Sequence, residues 1–235
     1  MLLTLPVTEV GPATPRAVKV RLALDGHLPY RAGQAVLAGR SGQPVRRPYS
    51  LATAPHEAFS RRELELLVGL DEAGSPGPHM DGLAAGSTMD LEGPVGSFAF
   101  PHSPEERRFL FLAGGTGIAP LRAMLHEALA RNAGWGLGVL YSARSPDEFA
   151  YGDELARLSA AGAITLRRAV TRADESSWTG PRGRITAELI AELADQETLC
   201  FVCGPHTFVT AMLPLLARAG VSARRIRVED WGTQF

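Results

Sequence analysis

The sequence predicts a small all-β unit, barrel or sandwich, followed by a doubly wound α/β unit built on a five-stranded parallel sheet. Three observations carry this. Residues 1–103 are rich in Gly, Pro and short apolar runs separated by turn residues. From Phe109 the rhythm changes to strands alternating with helical spacing. The length, 235 residues, accommodates two small domains at about 100–200 residues each.

In the first half the candidate strands are Val18–Leu24, Ala35–Ala38, Tyr49–Ala52, Glu63–Leu70 and Met89–Gly93, divided by Asp25-Gly26, Ser41-Gly42 and Gly74-Ser75-Pro76-Gly77. One short helix is expected near Met80–Ala85. The stretch Pro101–Pro104 reads as the linker, giving domains 1–103 and 104–235. In the second half Phe109–Ala113 is an unbroken apolar run, the signature of a buried parallel strand. Ile118, Leu121, Leu125 and Leu129 then recur at helical spacing. Strands Leu137–Tyr141, Ile164–Val170, Thr198–Cys203 and Arg225–Glu229 alternate with helices near 149–161, 186–193 and 207–218.

Composition excludes several classes. Lys+Arg 24 against Asp+Glu 25 gives a net charge of −1, without the basic excess that phosphate neutralisation demands, so nucleic acid is not an expected partner. No apolar run reaches the ~18 residues of a membrane span. The start, MLLTLPVTEV, lacks a charged leader region and a cleavage site, so the expected location is cytoplasmic. Two cysteines make neither a disulfide framework nor an all-cysteine iron–sulfur cluster. The six histidines are scattered without metal-ligand spacing, so no metal is expected. Ser50 has no base at hydrolase spacing and there is no G-x-S-x-G turn.

Two segments carry chemistry. Gly114-Gly115-Thr116-Gly117 follows a buried strand and opens a helix, where free N–H groups and the positive dipole end suit a pyrophosphate. It is not G-x-G-x-x-G, and a tight strand–helix turn without ligand is the plain alternative. Arg47-Pro48-Tyr49-Ser50, with Thr53 after it, offers an arginine for phosphate, a ring to stack and hydroxyls to hydrogen-bond; an ordinary strand start is its plain alternative.

In chain order, Tyr30–Gln34, Arg47–Ser50, Gly93-Pro94-Val95-Gly96-Ser97-Phe98, Gly114–Pro120, Cys203-Gly204-Pro205 and Val228-Glu229-Asp230-Trp231 form a series that resembles the ferredoxin–NADP reductase superfamily of flavoproteins over essentially the whole chain. The resemblance implies an N-terminal antiparallel FAD-binding β-barrel and a C-terminal NAD(P)-binding α/β domain. It implies that Arg47, rather than the adjacent Arg46, contacts the flavin pyrophosphate, that Tyr49 packs on the isoalloxazine and that Ser50 bonds near N5. Pro48 and Thr53 belong to the same cofactor-binding stretch. Gly77-Pro78-His79-Met80 stands where the family meets the pyrophosphate with G-x-x-S/T; Gly77, His79 and Met80 are assigned to the cofactor, and Met80 in place of a hydroxyl points to a weakly held flavin. Gly114, Gly115, Thr116, Gly117, Gly204 and Pro205 are assigned to the nicotinamide dinucleotide, and Cys203 to packing beside the nicotinamide. Glu229 and Trp231 match an acid followed by an aromatic that covers the flavin, with Phe235 as the competing lid. Ser50, Cys203, Glu229 and Trp231 make up the expected transfer site.

The cofactors implied are FAD and NADPH or NADH. Arg144, ending the second parallel strand, and Arg172, in Thr171-Arg172, favour the 2′-phosphate of NADPH; the segment Trp178–Arg184 resembles NADH-using oxygenase reductases and flavin reductases. The implied reaction is hydride transfer from NAD(P)H to flavin, then electron release to a separate ferredoxin, flavodoxin or oxygenase component. Two alternatives stay open: a reductase of free flavin, and an electron-relaying subunit without a reaction of its own.

Overall fold

The computed structural model describes residues 1–131, 134–172 and 178–230. The first half is a six-stranded antiparallel sheet formed by β1 (Leu2–Thr14), β2 (Ala17–Ala23), β3 (Ala35–Arg40), β4 (Arg47–Ser50), β5 (Glu63–Gly69) and β6 (Thr88–Val95), in the order β4-β3-β6-β1-β2-β5. The bridge Leu51↔Leu66, with Ala52 N–H donating to Glu65 C=O, joins the two edges and closes a barrel. Alternate residues Leu5, Val7, Val20, Leu22, Leu64, Leu66 and Leu91 fill it.

Three features depart from expectation. β1, thirteen residues, is unanticipated because Pro6 and Pro12 interrupt its alternation. It gives residues 2–6 to β6 and residues 7–14 to β2, so neither proline has to serve a ladder on both sides. The helix expected near Met80–Ala85 is instead a single 3₁₀ turn, Pro78–Met80, because Gly82 and Gly86 take left-handed φ of +64° and +88°. An unexpected helix, α1 (Pro55–Arg61), follows β4; Pro55 suits its first turn and Ala54 N–H donates to the Glu57 carboxylate at 3.1 Å.

The second half is the expected five-stranded parallel sheet, order β11-β10-β7-β8-β9, from β7 (Arg108–Gly114), β8 (Gly136–Ala143), β9 (Thr165–Val170), β10 (Leu199–Cys203) and β11 (Ile226–Glu229). α2 (Ile118–Arg131), α3 (Gly152–Ala160), α4 (Ala187–Ala191) and α5 (His206–Arg218) flank it. The strand order reverses between β7 and β10, so their carboxyl ends, Gly114 and Cys203, open the crevice where such sheets bind ligands. One apolar cluster runs through both halves, from Ala52 and Leu67 of the barrel to Phe111 and Phe201 of the sheet. No helix among the described residues is long and apolar enough to cross a membrane.

Candidate functional site

The two halves face each other across a cleft of about 300 Å³. β4 supplies Pro48, Tyr49 and Ser50; the turn after β7 supplies Thr116 and Gly117; the turn after β10 supplies Cys203, Gly204, Pro205 and His206. Three segments far apart in sequence thus converge, as expected, on one crevice. Ser50 Oγ donates to Glu229 Oε2 at 3.0 Å, and the Cys203 sulfur lies 4.0 Å from the same oxygen. Glu229 reaches this point because β11 pairs with β10 in register, Cys203 opposite Glu229. Burial, with the Glu229 charge second, pushes the Cys203 thiol well up, so it stays protonated and packs rather than attacks. Cys200, three residues back in the strand, lies in the cluster on the opposite face. Trp231 and Phe235 lie outside the described residues.

The glycines divide into two kinds. A Cβ on Gly117 would sit 2.3 Å from the Cys203 carbonyl oxygen, and one on Gly114 2.7 Å from the Phe208 ring. These two let the turns after β7 and β10 close on each other. Gly115, at φ +54°, has nothing within 4 Å of that position and faces an adjoining cleft of about 310 Å³. Arg16, Tyr141, Arg144 and Thr171 also line this second cleft. Arg172 N–H donates to Arg144 C=O at 2.7 Å, so the two candidate arginines are backbone neighbours, and of the two Arg144 lines this cleft. Trp178 packs on Phe149 at 5.6 Å and stacks under Arg168, which gives the Trp178–Arg184 segment a structural role on β9.

On the barrel side, Arg46 is spent on Asp90 at 3.3 Å and Glu92 at 3.8 Å. Arg47 is exposed and has no ion-pair partner among the described residues, which accords with its assignment to an anion. Burial pushes the Tyr49 phenol up to about 12, and its hydroxyl lies 2.7 Å from His79 Nε2. Arg47, Gly77, His79 and Arg172 line neither cleft, and two further expected ligands are turned inward. Thr53 is 4% exposed and its hydroxyl accepts from Glu65 N–H at 2.8 Å, a fixed structural bond. Met80 is 1% exposed and fills the barrel core.

A polar hub behind the cleft gave no motif. Arg122 of α2, 6% exposed, donates to the Ala52 carbonyl at 2.7 Å, forks onto Glu154 of α3 at 2.9 Å and lies 3.6 Å from Glu57 of α1. His126 is shared between Glu154 at 2.8 Å and Glu57 at 3.4 Å. Tyr151 donates to Glu65 at 2.7 Å, with Arg122 and Lys19 (the one lysine) against its ring. Burial opposes the charge of Glu154, but hydrogen bonds from His126 and Arg122 outweigh it and hold the carboxyl at about 2.

An oxidoreductase FAD-binding domain model matches residues 7–100, and an oxidoreductase NAD-binding domain model matches residues 111–213. The chain is 34% identical over 214 residues to "Ferredoxin--NADP reductase B" of Sorangium cellulosum, covering 86% of this chain and 85% of that protein. It is 29% identical to the "Glycine betaine monooxygenase reductase subunit" of Pseudomonas aeruginosa, over 81% of this chain and 52% of the relative, so it spans about half that subunit's length. Among solved structures, an Amycolatopsis cytochrome P450 reductase superposes with a TM-score of 0.85 at 27% identity, over 98% of this chain and 70% of that one.

Proposed function

The chain belongs to the ferredoxin–NADP reductase superfamily, and on that premise we propose that it takes hydride from NADPH or NADH onto FAD and passes electrons to a separate acceptor protein. The observation that carries this reading is the meeting of Ser50, Cys203 and Glu229 at the mouth of the cleft between barrel and sheet. Bound flavin and nicotinamide supply the redox chemistry; the protein supplies orientation and electrostatics.

In this reading residues 1–103 hold the flavin, with Arg47 on a phosphate and Tyr49 and Ser50 against the ring system. Residues 104–235 hold the nucleotide, with Gly115 and Thr116 offering backbone where the dinucleotide enters. Ser50 is fixed by Glu229, so its hydroxyl oxygen and proton lie at a set point in the cleft. Cys203, neutral and buried, forms an apolar floor that keeps water away. Trp231 keeps its proposed place as the aromatic cover, with Phe235 as competitor. Arg144 and Arg172 favour NADPH: exposed, close together and at the strand ends, they suit a 2′-phosphate. The acceptor is a ferredoxin, flavodoxin or oxygenase component.

A second reading, reduction of a diffusible flavin, is favoured by one observation. Met80 is turned into the core, so no side-chain hydroxyl meets the pyrophosphate at that position. The test is steady-state turnover of NADPH and NADH against ferricyanide, FAD and FMN, with flavin content measured after gel filtration. Retained flavin and ferricyanide reduction support the first reading. Flavin-free protein that oxidises NAD(P)H only with excess free flavin supports the second. No oxidation under either condition overturns both.

A further inference from the structure

The hairpin between β1 and β2 brings one arginine of the barrel to the cleft beside the parallel sheet. Arg16 sits in that turn and lines the cleft of about 310 Å³ that Gly115, Thr116 and Arg144 border from the sheet. Its backbone is pinned on both sides: its N–H donates to Thr14 Oγ1 at 3.2 Å, and its carbonyl accepts from Leu70 N–H at 2.8 Å. The residue is half-buried, and its guanidinium has neither an ion-pair partner nor a hydrogen bond among the described residues. A cation partly withdrawn from water without a partner carries a cost that an anion in the cleft offsets.

Its position within the cleft says which anion. Ala17 pairs with Gly69 of β5, and a Cβ on Gly69 would lie 3.7 Å from Thr116 Cγ2. The hairpin therefore stands against the turn after β7, while Arg144 and Thr171 follow β8 and β9, one and two strands further along the sheet. At that turn the Tyr141 hydroxyl donates to the Gly115 carbonyl at 2.9 Å, so this oxygen is already engaged by a donor. Glu148, the acid that lines the cleft, follows β8 with Arg144. A guanidinium fork bonds phosphate oxygens in pairs. Opposite the Gly115–Thr116 backbone it suits the doubly charged bridge of a dinucleotide, and the 2′ position is left to Arg144.

We infer that Arg16, a residue of the flavin-side half, grips the pyrophosphate of the nicotinamide nucleotide from across the cleft, so that affinity for NADH and NADPH alike depends on the barrel. The inference rests on the nucleotide-binding reading above. It concerns a residue outside every motif that pointed to that reading.

The experiment titrates the full chain, saturated with FAD, with NAD⁺, NADP⁺ and ADP-ribose by calorimetry. All three probes carry the pyrophosphate, and NADP⁺ alone carries the 2′-phosphate. Arg16→Gln weakens all three by about tenfold, the loss expected when a charge-assisted contact is removed. Arg16→Lys, which keeps the charge, stays within about threefold of wild type. Added salt weakens wild type more than Arg16→Gln, because the screened attraction is gone from the variant. Arg144→Gln, the comparison, weakens NADP⁺ alone. Unchanged affinities in Arg16→Gln overturn the inference. So does a loss confined to NADP⁺, which moves Arg16 to the 2′-phosphate, and so do equal losses in Arg16→Gln and Arg16→Lys with the salt dependence of wild type, which make the effect one of packing. Wild-type protein that binds none of the three probes defeats the nucleotide-binding reading itself, a different result from wild-type binding that is indifferent to residue 16.

Discussion

Among the polar connections that bridge the barrel and the sheet, two are built differently. At the mouth of the cleft a single hydroxyl, Ser50, meets a single carboxylate, Glu229, at 3.0 Å. Behind the cleft Arg122 joins Ala52, Glu154 and Glu57, and Tyr151 ties in Glu65. The mouth has one short neutral-to-charged bond whose donor is the group assigned to the chemistry. The hub has a permanently charged arginine whose partners come from two other helices and the barrel wall. Ala52 lies two residues beyond Ser50, and Arg122 lies five residues beyond Gly117, on the helix that follows that turn. The hub therefore sets the spacing between the flavin-side strand and the nucleotide-side turn, and the mouth works within that spacing. Stability and catalysis are assigned to different polar contacts of one interface.

The sharpest way to break this division is Arg122→Met. It leaves Glu57 and Glu154 facing each other without their shared cation, and removing one partner of a buried ion pair costs about 3–5 kcal/mol. The expected result is that loss in urea unfolding at neutral pH, with turnover falling because the halves no longer hold their spacing. If Arg122→Met unfolds like wild type, the hub is not what joins the halves.

Glu154→Gln is expected to cost less, about 2–3 kcal/mol, because the amide keeps an acceptor for Arg122 while losing the charge. It also carries a pH signature. The folded carboxyl is held at about 2, below its ordinary 4.5. Its contribution to stability is complete above about 4.5 and is lost as pH falls toward 2. Denaturant unfolding between pH 6 and 3 should show that decline in wild type and lack this component in Glu154→Gln. Tyr151→Phe comes next: it removes one buried bond to Glu65, worth about 1–2 kcal/mol by thermal or urea unfolding, with flavin affinity unchanged.

The same division explains what the sequence made legible. The parallel sheet could be read from Phe109–Ala113 and its successors because strands buried on both faces leave unbroken apolar runs. The mouth could be read because Arg47–Ser50, Gly114–Gly117 and Cys203–Pro205 are local motifs, each belonging to one turn or strand. The hub has no such signature. Arg122 and Ala52 are 70 residues apart, and an arginine between Leu121 and Ala123 looks like the solvent face of a helix until the barrel is placed against it. β1 was hidden by its prolines, whose tolerance depends on which strand pairs where. Thr53 and Met80 were assigned to the cofactor because a motif gives a residue's place in the chain and not the direction of its side chain.

Ser50→Ala is the smallest expected change in stability and the one that separates the two connections most cleanly. The bond to Glu229 is partly buried and near the cleft mouth, so water can replace the lost donor at the carboxylate. The loss in unfolding free energy should stay within about 1 kcal/mol, the usual net worth of one hydrogen bond. The rate behaves otherwise, because Ser50 is the β4 hydroxyl that meets Glu229 in the proposed site. Loss of a hydrogen bond that strengthens as charge shifts at the flavin should lower kcat about tenfold with KM for NAD(P)H nearly unchanged. Stopped-flow reduction of the flavin by NADPH, set beside urea unfolding of the same protein, reads both numbers. A variant that loses rate and keeps its stability places the chemistry at the mouth. One that loses several kcal/mol and keeps its rate makes Ser50 a second strut of the hub, and the distinction between the two connections disappears.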